Sequence, residues 1–342
     1  MTDLRSLCPE ELRSALAPLC LHDYRTRQIF DWLQRRGVQA VQEMTNLPKE
    51  LRAQLEQECF ISSCEMIKKQ ESSSVARKYL FRLRDGETIE SVAMRYSYGW
   101  SVCVSSQAGC RMACAFCASG QQGFSRDLLP GEMLAQVQAA QNDLGEAISH
   151  IVLMGMGEPL DNYENTVKFL RLATHPEGLH IGQRKISIST CGLVPQIDML
   201  ANERLGVTLS ISLHAPNDAL RTRLMPINKA YPMAELLASC KRYAKNTGRR
   251  ISLEYALFRD VNDSPEHARE LVGRLKGLLC HVNLIPANAV PELGFQRSRP
   301  EQVRVFQSTL EQCGLAVTVR RSLGGDIDAA CGQLRKRGIP CE

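Results

Sequence analysis

Three cysteines stand close together in the segment GWSVCVSSQAGCRMACAFCASGQQGF, which spans residues 99–124. Cys110, Cys114 and Cys117 form a C-x3-C-x2-C array, and thiolates are the ligands that iron–sulfur clusters require. Four cysteines would bind every iron of a cubane cluster, whereas three leave one iron open. The array therefore predicts a cluster that binds a substrate or cofactor at its open iron, rather than one that only carries electrons.

A zinc knuckle is the main alternative for these thiols. Zinc usually takes four ligands in paired C-x2-C groups, and no nearby His or Cys makes a convincing fourth. With the aromatic Phe116 before its last cysteine, the array resembles that of the radical S-adenosylmethionine (SAM) superfamily. The resemblance implies one [4Fe–4S] cluster held by Cys110, Cys114 and Cys117, with SAM chelating the open iron through its amino and carboxylate groups.

The length and composition favour one large α/β domain with an appendage. The chain has 342 residues, of which 44% are hydrophobic, enough for a full-sized core. No apolar run approaches the ~20 residues of a membrane span, and the N-terminus lacks the apolar core of a signal peptide. The 14 cysteines are therefore better explained by metal binding and catalysis in a reducing cytosol than by disulfides. We expect a cytoplasmic protein without a membrane segment.

The net charge is 42 − 37 = +5, a mild excess that does not by itself indicate nucleic-acid binding. Several short basic clusters are compatible with phosphate contacts: Lys68–Lys69, Arg221–Arg223, Arg249–Arg250, Arg320–Arg321 and Arg335–Arg337.

The first 98 residues differ in pattern from the rest. Residues 1–58 read as three helices, the first opening at Pro9 and the third near Pro48, and form either an RNA-binding accessory domain or a packing module. Residues 59–98 contain two alternating runs, 76–83 and 88–94, separated by an Asp-Gly turn. These runs predict a small antiparallel β extension between the helical domain and the main domain, residues 99–342.

From about residue 101 onward, strand and helix patterns alternate. The predicted strands cover 101–106, 149–155, 184–190, 207–213, 250–257, 281–286 and 315–321, and the helices about 130–144, 161–174, 194–203, 232–247, 264–278 and 299–313. Six such units predict a partial (βα)6 barrel of the α/β class. Because active sites in such sheets gather at the carboxyl ends of the strands, we looked for chemistry there.

Polar or flexible residues follow four of the predicted strands. The run GMGEP, residues 155–159, places a carboxylate beside glycines and resembles the GGEP motif that holds the amino group of SAM. Ser189, Ser212-Leu213-His214 and Asn288 follow three other strands. Hydroxyl and amide groups suit the polar parts of SAM, although each residue alone is more often a helix cap or a structural group.

Two cysteines outside the array also need a role. Cys331 lies in the small-residue segment GGDIDAACGQL, and Cys103 stands seven residues before the first cysteine of the array. A buried, inert thiol is the usual explanation for a lone cysteine. The small flanking residues favour instead a mobile loop that admits the Cys331 thiol to a crowded site.

Taken together, five motifs resemble the RlmN/Cfr family of RNA-adenosine methyltransferases over essentially the whole chain: VCVSSQAGCRMACAFCASGQQGF, GMGEPL, SLHAPND, LMPINK and GDIDAACGQL. The resemblance implies that Cys331 carries a methyl group, that Cys103 is the resolving thiol and that Glu90 is the proton acceptor. It also implies that SAM is bound by Gly157, Glu158, Ser189, Ser212, Leu213, His214 and Asn288.

The chemistry implied by this resemblance uses two SAM molecules per turnover. One methylates Cys331, and the second is cleaved reductively to a 5′-deoxyadenosyl radical that takes hydrogen from the S-methyl group. The methylene radical adds to adenine, and Cys103 then helps to release the protein–RNA thioether while a base removes the ring proton. An external electron donor such as flavodoxin or ferredoxin is implied, and we expect a monomer.

The segments QQGFSRDL and LIPANAVPELGFQRS are more similar to the family members that methylate adenine C2 than to those that methylate C8. The C2 enzymes act on an adenosine of the peptidyl-transferase centre of 23S rRNA, and some also act on tRNA adenosine 37. C8 methylation is the alternative within the family. A non-catalytic iron–sulfur RNA-binding protein is the alternative outside it, but binding alone requires neither Cys331 nor Cys103.

Overall fold

Helices and strands alternate along most of the computed structural model, which describes residues 1–73, 75–288, 293–320 and 323–334. The first part contains β1 (Thr2–Asp3), α1 (Pro9–Ala15), α2 (Asp23–Gln34), α3 (Lys49–Glu58) and β2 (Cys59–Phe60). The second part contains β3 (Glu65–Ser72), β4 (Ala76–Arg82) and β5 (Thr88–Tyr96). The third part begins with β6 (Gly99–Cys103), β7 (Gln107–Gly109), α4 (Ala118–Gln121), β8 (Phe124–Asp127), α5 (Pro130–Leu144), β9 (Ile148–Leu153) and α6 (Tyr163–Thr174). It continues with β10 (Ile186–Thr190), α7 (Val194–Leu200), β11 (Thr208–Ser212), α8 (Asp218–Leu224), α9 (Met233–Thr247), β12 (Ile251–Leu257), α10 (Pro265–Leu275), β13 (Cys280–Pro286), α11 (Pro300–Gln312) and β14 (Val317–Val319).

Ten of these strands form one sheet in the order β14-β13-β12-β11-β10-β9-β6-β5-β4-β3. All pairs from β6 to β14 are parallel, and the strands are joined by helices, as in a partial barrel. The α/β barrel class is therefore confirmed, with β6 and β9–β13 as its six main strands. The carboxyl ends of these strands lie on one rim, where a ligand site is expected.

The antiparallel extension is also present, but it is larger than the sequence predicted. β3, β4 and β5 pair antiparallel, and β5 pairs with β6, so the extension continues the barrel sheet. β3 was not predicted because its segment, EMIKKQES, lacks an apolar face. It is a mostly exposed edge strand, and charged residues are common on such strands because they block further pairing.

The helical domain packs against α5 through buried polar contacts. The amide of Gly131 donates to Ser6 Oγ at 2.8 Å, and a Cβ at Gly131 would lie 2.5 Å from a carboxylate oxygen of Asp3. About two helical turns further on, Gln138 donates to the carbonyls of Leu33 and Gln34 at 2.8 and 3.0 Å. The helical domain therefore packs on the main domain, as the packing alternative predicted. RNA binding by this domain stays a prediction.

Two of the basic clusters each contribute one arginine, Arg221 or Arg320, to the interior, whereas Arg223 is exposed. Arg221 is fully buried and donates to the carbonyls of Cys191 and Ser212, so it cannot meet an RNA phosphate. Arg320 lines cavities within the site described below. Arg321 and the cluster 335–337 lie outside the described residues. No described helix is both long and apolar enough to cross a membrane.

Candidate active site

Two adjoining cavities lie at the carboxyl ends of the parallel strands. The larger, called here the ligand cavity, is lined among others by Cys110, Cys114, Cys117, Gly157, Glu158, Ser189, Ser212, His214, Glu254, Asn288, Arg320 and Cys331. The smaller, the thiol cavity, is lined by Met94, Cys103, Met154, Ile285, Asn288, Arg320, Leu323, Ala329, Ala330, Cys331 and Leu334. Because Met154, Ile285, Asn288, Arg320 and Cys331 line both, the two cavities share a wall.

The three-cysteine segment is held by a short antiparallel pair, β7 and β8, that the sequence did not predict. The amide of Cys110 donates to the carbonyl of Gly123 at 2.9 Å, and the amide of Cys117 donates to that of Cys114 at 3.1 Å. Gly109 has a φ of 86°, and a Cβ there would lie 2.0 Å from the same Gly123 oxygen. Only glycine fits at this close approach, which turns the chain so that all three thiols face the ligand cavity.

The donor set of this wall suits an iron–sulfur cluster. Burial raises the pKa of Cys110 to about 12, and burial together with the neighbouring thiols raises that of Cys114 well above its usual value. A thiol in this environment ionises when a metal replaces its proton. Within the described residues, no three His, Cys, Asp or Glu side chains are arranged to hold a single metal ion. Three thiols spread along one wall fit a cluster, in which each thiolate binds a different iron.

Glu158 is the best-fixed carboxylate of the ligand cavity. Its two oxygens accept from the amides of Cys191 and Leu160 at 2.7 and 3.0 Å, and its own amide donates to Gln107 at 2.9 Å. Burial raises its pKa, while the two amides oppose that rise. Gly157 has a φ of 101°, and a Cβ there would lie 2.6 Å from the Cβ of Gln107. The turn therefore needs glycine, and it leaves Glu158 rigid.

Ser189 and Ser212 end neighbouring strands, and their hydroxyl oxygens lie 3.4 Å apart in the ligand cavity. Leu213, the next residue, does not line the cavity. Its side chain is fully buried in the core, and its amide donates to the carbonyl of Glu254 at 3.0 Å. The structure thus brings together every predicted SAM contact except the Leu213 side chain.

His214 is a neutral hydrogen-bond donor toward the ligand cavity. Its Nδ1 accepts from the amide of Ala256 at 2.9 Å, which leaves the proton on Nε2. Burial, and then the nearby Arg221, lowers its pKa to about 3. Its ring also packs edge-to-face on Phe116, with the centroids 4.9 Å apart. Phe116 is the aromatic residue of the cysteine array, so this contact joins the array to the fourth barrel strand.

Cys331 lies in the cysteine loop, defined here as residues 323–334, which is attached on both sides of the site. Toward α4, the carbonyls of Gly332 and Leu334 accept from the amide of Ala118 at 2.8 Å and from Ser119 Oγ at 2.6 Å. Toward the extension, the carbonyl of Asp328 accepts from Lys78 Nζ at 2.9 Å, and the carboxylate of Asp326 accepts from Ser72 Oγ at 2.7 Å. The antiparallel extension therefore supports the loop that carries Cys331.

The remaining two predicted residues differ in their placement. Cys103 is buried in the thiol cavity, where burial and Cys331 raise its pKa to about 12. Glu90 lines neither cavity. It is 1% exposed and forms a buried ion pair with Lys78 at 3.0 Å, and that lysine in turn donates to the carbonyl of Asp328 in the cysteine loop.

Comparisons with known proteins agree with this geometry. Residues 104–272 match the family model "Radical SAM superfamily", and residues 2–61 match "Ribosomal RNA large subunit methyltransferase N-terminal domain". A protein of Pelotomaculum thermopropionicum named "Probable dual-specificity RNA methyltransferase RlmN" is 53% identical over 98% of this chain and 92% of its own. One of the same name from Desulforudis audaxviator is 54% identical over 90% of this chain and 97% of its own. The chain belongs to the RlmN family.

A solved structure extends the match to three dimensions. The crystal structure of a radical SAM methyltransferase from Sphaerobacter thermophilus superposes with a TM-score of 0.94 at 46% identity, over 98% of this chain and 99% of that one. Membership of the RlmN family, within the radical-SAM superfamily, implies a [4Fe–4S] cluster and SAM as cofactors.

Sequence reasoning missed three charged residues of the RlmN-type site: Lys78, Glu254 and Arg320. Glu254 and Arg320 line the ligand cavity, and Glu254 accepts from Ser252 and Asn283 at 2.8 and 2.7 Å. Arg320 lies at the end of the seventh predicted strand and directly after β14, so the strand-end rule that found the serines would have found it too. Lys78 carried no signal, because it stands in an alternating strand where a lysine normally faces water.

Proposed function

We propose that the protein methylates C2 of an adenosine of 23S rRNA in the peptidyl-transferase centre, and of tRNA adenosine 37 as a second substrate. The family membership and the name "dual-specificity RNA methyltransferase" given to its relatives support RNA as the substrate class. The observation that carries the proposal is that Cys331 lines both cavities, with the cluster cysteines in one and Cys103 in the other.

The need for such a cysteine follows from the base. Adenine C2 is an electron-poor carbon, so it does not attack a sulfonium methyl group as an amine would. In the proposed reaction Cys331 accepts a methyl group from one SAM and presents it to the base. The cluster of Cys110, Cys114 and Cys117, with a second SAM, would supply the radical that activates this methyl group.

The ligand cavity supports a defined role for each strand-end residue. Glu158 would accept from the ammonium group of SAM, because its fixed carboxylate faces the cysteine wall. Ser189, Ser212 and the Nε2–H of His214 would bind the remaining polar groups of SAM, and Asn288 would do so from the wall shared with the thiol cavity. Gly157 and Leu213 would contribute through the backbone.

The last two predicted residues, Cys103 and Glu90, would act when the product is released. Cys103 would resolve the thioether by pairing with Cys331 across the thiol cavity. Glu90 would receive the ring proton, because a carboxylate is a general base, and Lys78 Nζ lies 3.0 Å from it. Because Glu90 lines neither cavity, this role requires the proton to travel to it.

The proposal also includes an external electron donor such as flavodoxin or ferredoxin. It further includes a monomeric enzyme and a cytoplasmic location, where the RNA substrates are made.

Mass spectrometry of nucleosides tests the proposal. Reconstituted protein is incubated with SAM, a reductant and either a 23S rRNA fragment or tRNA, and 2-methyladenosine is expected from both. 8-Methyladenosine would replace the C2 assignment by C8 methylation. Absence of any modified nucleoside, with tight RNA binding, would support the non-catalytic alternative.

A matched variant checks the cluster assignment in the same assay. Cys114→Ala is expected to lose both the iron content and the cleavage of SAM, because three ligands leave no spare. Cys280→Ala serves as control, since this buried cysteine lies on β13 away from both cavities. Normal iron content in Cys114→Ala would contradict the assignment.

A further inference from the structure

The guanidinium group of Arg320 lies inside the site but forms no ion pair with a carboxylate of the described residues. It lines both cavities, and its Nη1 faces the sulfur of Met154 at 3.6 Å. Its other side-chain partner is the hydroxyl group of Tyr96. None of the ion pairs formed by the described residues includes Arg320. The carboxylate of Glu254 is near enough to stabilise the guanidinium, and a further anion beside this partly buried cation would stabilise it more.

The groups that face Arg320 come from four elements. They are Tyr96 on β5, Cys103 on β6, Glu254 on β12 and Cys331 in the cysteine loop. The two oxygens of Glu254 are already bound by Ser252 and Asn283, and burial raises the pKa of Tyr96 so that its hydroxyl stays neutral. The two cysteines are therefore the groups that can become new anions beside the guanidinium.

Both cysteines need such a partner if they react as nucleophiles, because the thiolate and not the thiol attacks. Burial and Cys331 raise the pKa of Cys103, and Arg320 opposes that rise. Cys331 lines both cavities together with Arg320. The other buried cation on this side, Lys78, is held by Glu90 and Asp328.

We propose that Arg320 is the cation against which the thiolates of Cys331 and Cys103 form. This assignment rests on the proposed function and makes Arg320 a positioning residue for the methyl-carrying cysteine. When Cys331 accepts a methyl group, its proton leaves to solvent and its electron pair forms the S–CH3 bond. The methyl–sulfur bond of SAM breaks at the same time and leaves S-adenosylhomocysteine. Arg320 stabilises the sulfur before that bond forms.

Alkylation with iodoacetamide as a function of pH tests this inference without RNA and without turnover. Cluster-containing protein is labelled anaerobically, and the rates at Cys103 and at the unmethylated fraction of Cys331 are read by peptide mass spectrometry. In Arg320→Met labelling of both cysteines is expected to slow roughly tenfold at a fixed pH, because the cation that favours the thiolate is gone. Arg320→Lys keeps the charge and is expected to stay close to the parent protein.

Two further variants keep the result interpretable. Arg242→Met is the matched control, because this exposed arginine pairs with Asp198 on the outer helices and should leave both profiles unchanged. Tyr96→Phe removes only the hydroxyl that holds the guanidinium, and a smaller shift in the same direction is expected.

Superimposed profiles for folded Arg320→Met and the parent protein would overturn the inference. If Arg320→Met does not fold, an unchanged profile in Tyr96→Phe would overturn it instead. The experiment distinguishes failure of this role for Arg320 from failure of the proposed function. RNA methylation with unshifted thiol profiles removes only the role of Arg320, whereas shifted profiles without RNA methylation leave that role and remove the function.

Discussion

The two sides of the candidate site are built in different ways. On the strand-end side, the polar groups are fixed by the backbone of the neighbouring strand-end turns: Glu158 by the amide of Cys191 and His214 by that of Ala256. On the other side, the cysteine loop contains no strand and is attached to the extension by the side chains of Ser72 and Lys78. Backbone contacts hold a ligand-binding group in one place, whereas the loop depends on side-chain contacts to the extension and on one backbone contact to α4, so we expect it to open at a lower free energy.

The largest expected effect separates the two thiols on the loop side. Cys331→Ala should bind the cluster but neither accept a methyl group nor modify RNA. Cys103→Ala should be methylated at Cys331 and then stall as a covalent protein–RNA species, because a thioether is stable until a second thiol reaches it. A denaturing gel with labelled RNA should show a retarded band for Cys103→Ala alone.

Two outcomes would contradict these roles. Free methylated RNA from Cys331→Ala would mean that this cysteine is not the methyl carrier. If Cys103→Ala gave no stalled protein–RNA species, Cys103 would not be the thiol that releases the product.

Breaking the buried ion pair should be the next largest effect. Lys78→Met breaks the buried ion pair with Glu90, and the loss of one member of such a pair typically costs about 3–5 kcal/mol of unfolding free energy. The double variant Lys78→Met/Glu90→Gln should recover much of that loss, because both ionisable groups are removed together. Denaturation with urea measures both.

Lys69→Met provides the comparison for that pair. Lys69 forms its ion pairs at the edge of the same extension, with Asp143 and Glu71, where such pairs are worth at most about 1 kcal/mol. If Lys78→Met were no more destabilised than Lys69→Met, the loop would not depend on the buried pair.

On the strand-end side, a pH effect of intermediate size is expected from His214. Its pKa is lowered to about 3 in the folded protein, whereas an unfolded histidine titrates near pH 6.5. The folded state therefore binds the proton less well, so this contribution is complete above about pH 6.5 and is lost as the pH falls toward 3. Between about pH 6.5 and 5 the loss should reach up to ~2 kcal/mol.

Unfolding free energies of the parent protein and of His214→Gln across that window measure the effect. The variant should show a flatter pH dependence, whereas replacement of the exposed His22 by Gln should not. Equal slopes in the parent and His214→Gln would mean that His214 is not held neutral.

The smallest effect is expected at the loop attachment itself. Ser72→Ala removes the hydroxyl that donates to Asp326 and should cost about 1 kcal/mol. The change should be local, so hydrogen exchange should increase in residues 323–334 and not around Glu158. An equal increase on both sides would remove the distinction between them.

The barrel and its rim could be predicted because each rests on a local pattern. Parallel strands buried on both faces read as apolar runs, and the residues directly after them must lie on one rim. That argument correctly placed Glu158, Ser189, Ser212 and His214 in one cavity. It also included Leu213, whose side chain is turned into the core by the same alternation that turns its neighbours toward the ligand cavity.

The extension and its contacts could not be predicted, because they depend on residues far apart in the chain. β3 has a polar sequence typical of an edge strand, and Lys78 is buried where it donates to the carbonyl of Asp328 in the cysteine loop. Arg221 read as part of a basic surface cluster, but it joins the ends of two barrel strands through their carbonyls. The short pair β7–β8 is set by Gly109, whose close approach to Gly123 is visible only in three dimensions.

The attachments of the cysteine loop also set the order in which the site is completed during synthesis. Its hydrogen bonds reach Ser72, Lys78 and Ser119, which lie 254, 250 and 215 positions earlier in the chain. Translation proceeds from the N-terminus, so the barrel and its three-cysteine wall can form on the ribosome while the loop is still unmade. The Cys331 thiol reaches its place last. A nascent or C-terminally shortened chain would therefore contain the three-cysteine side of the site without Cys331, the methyl carrier in the proposed reaction.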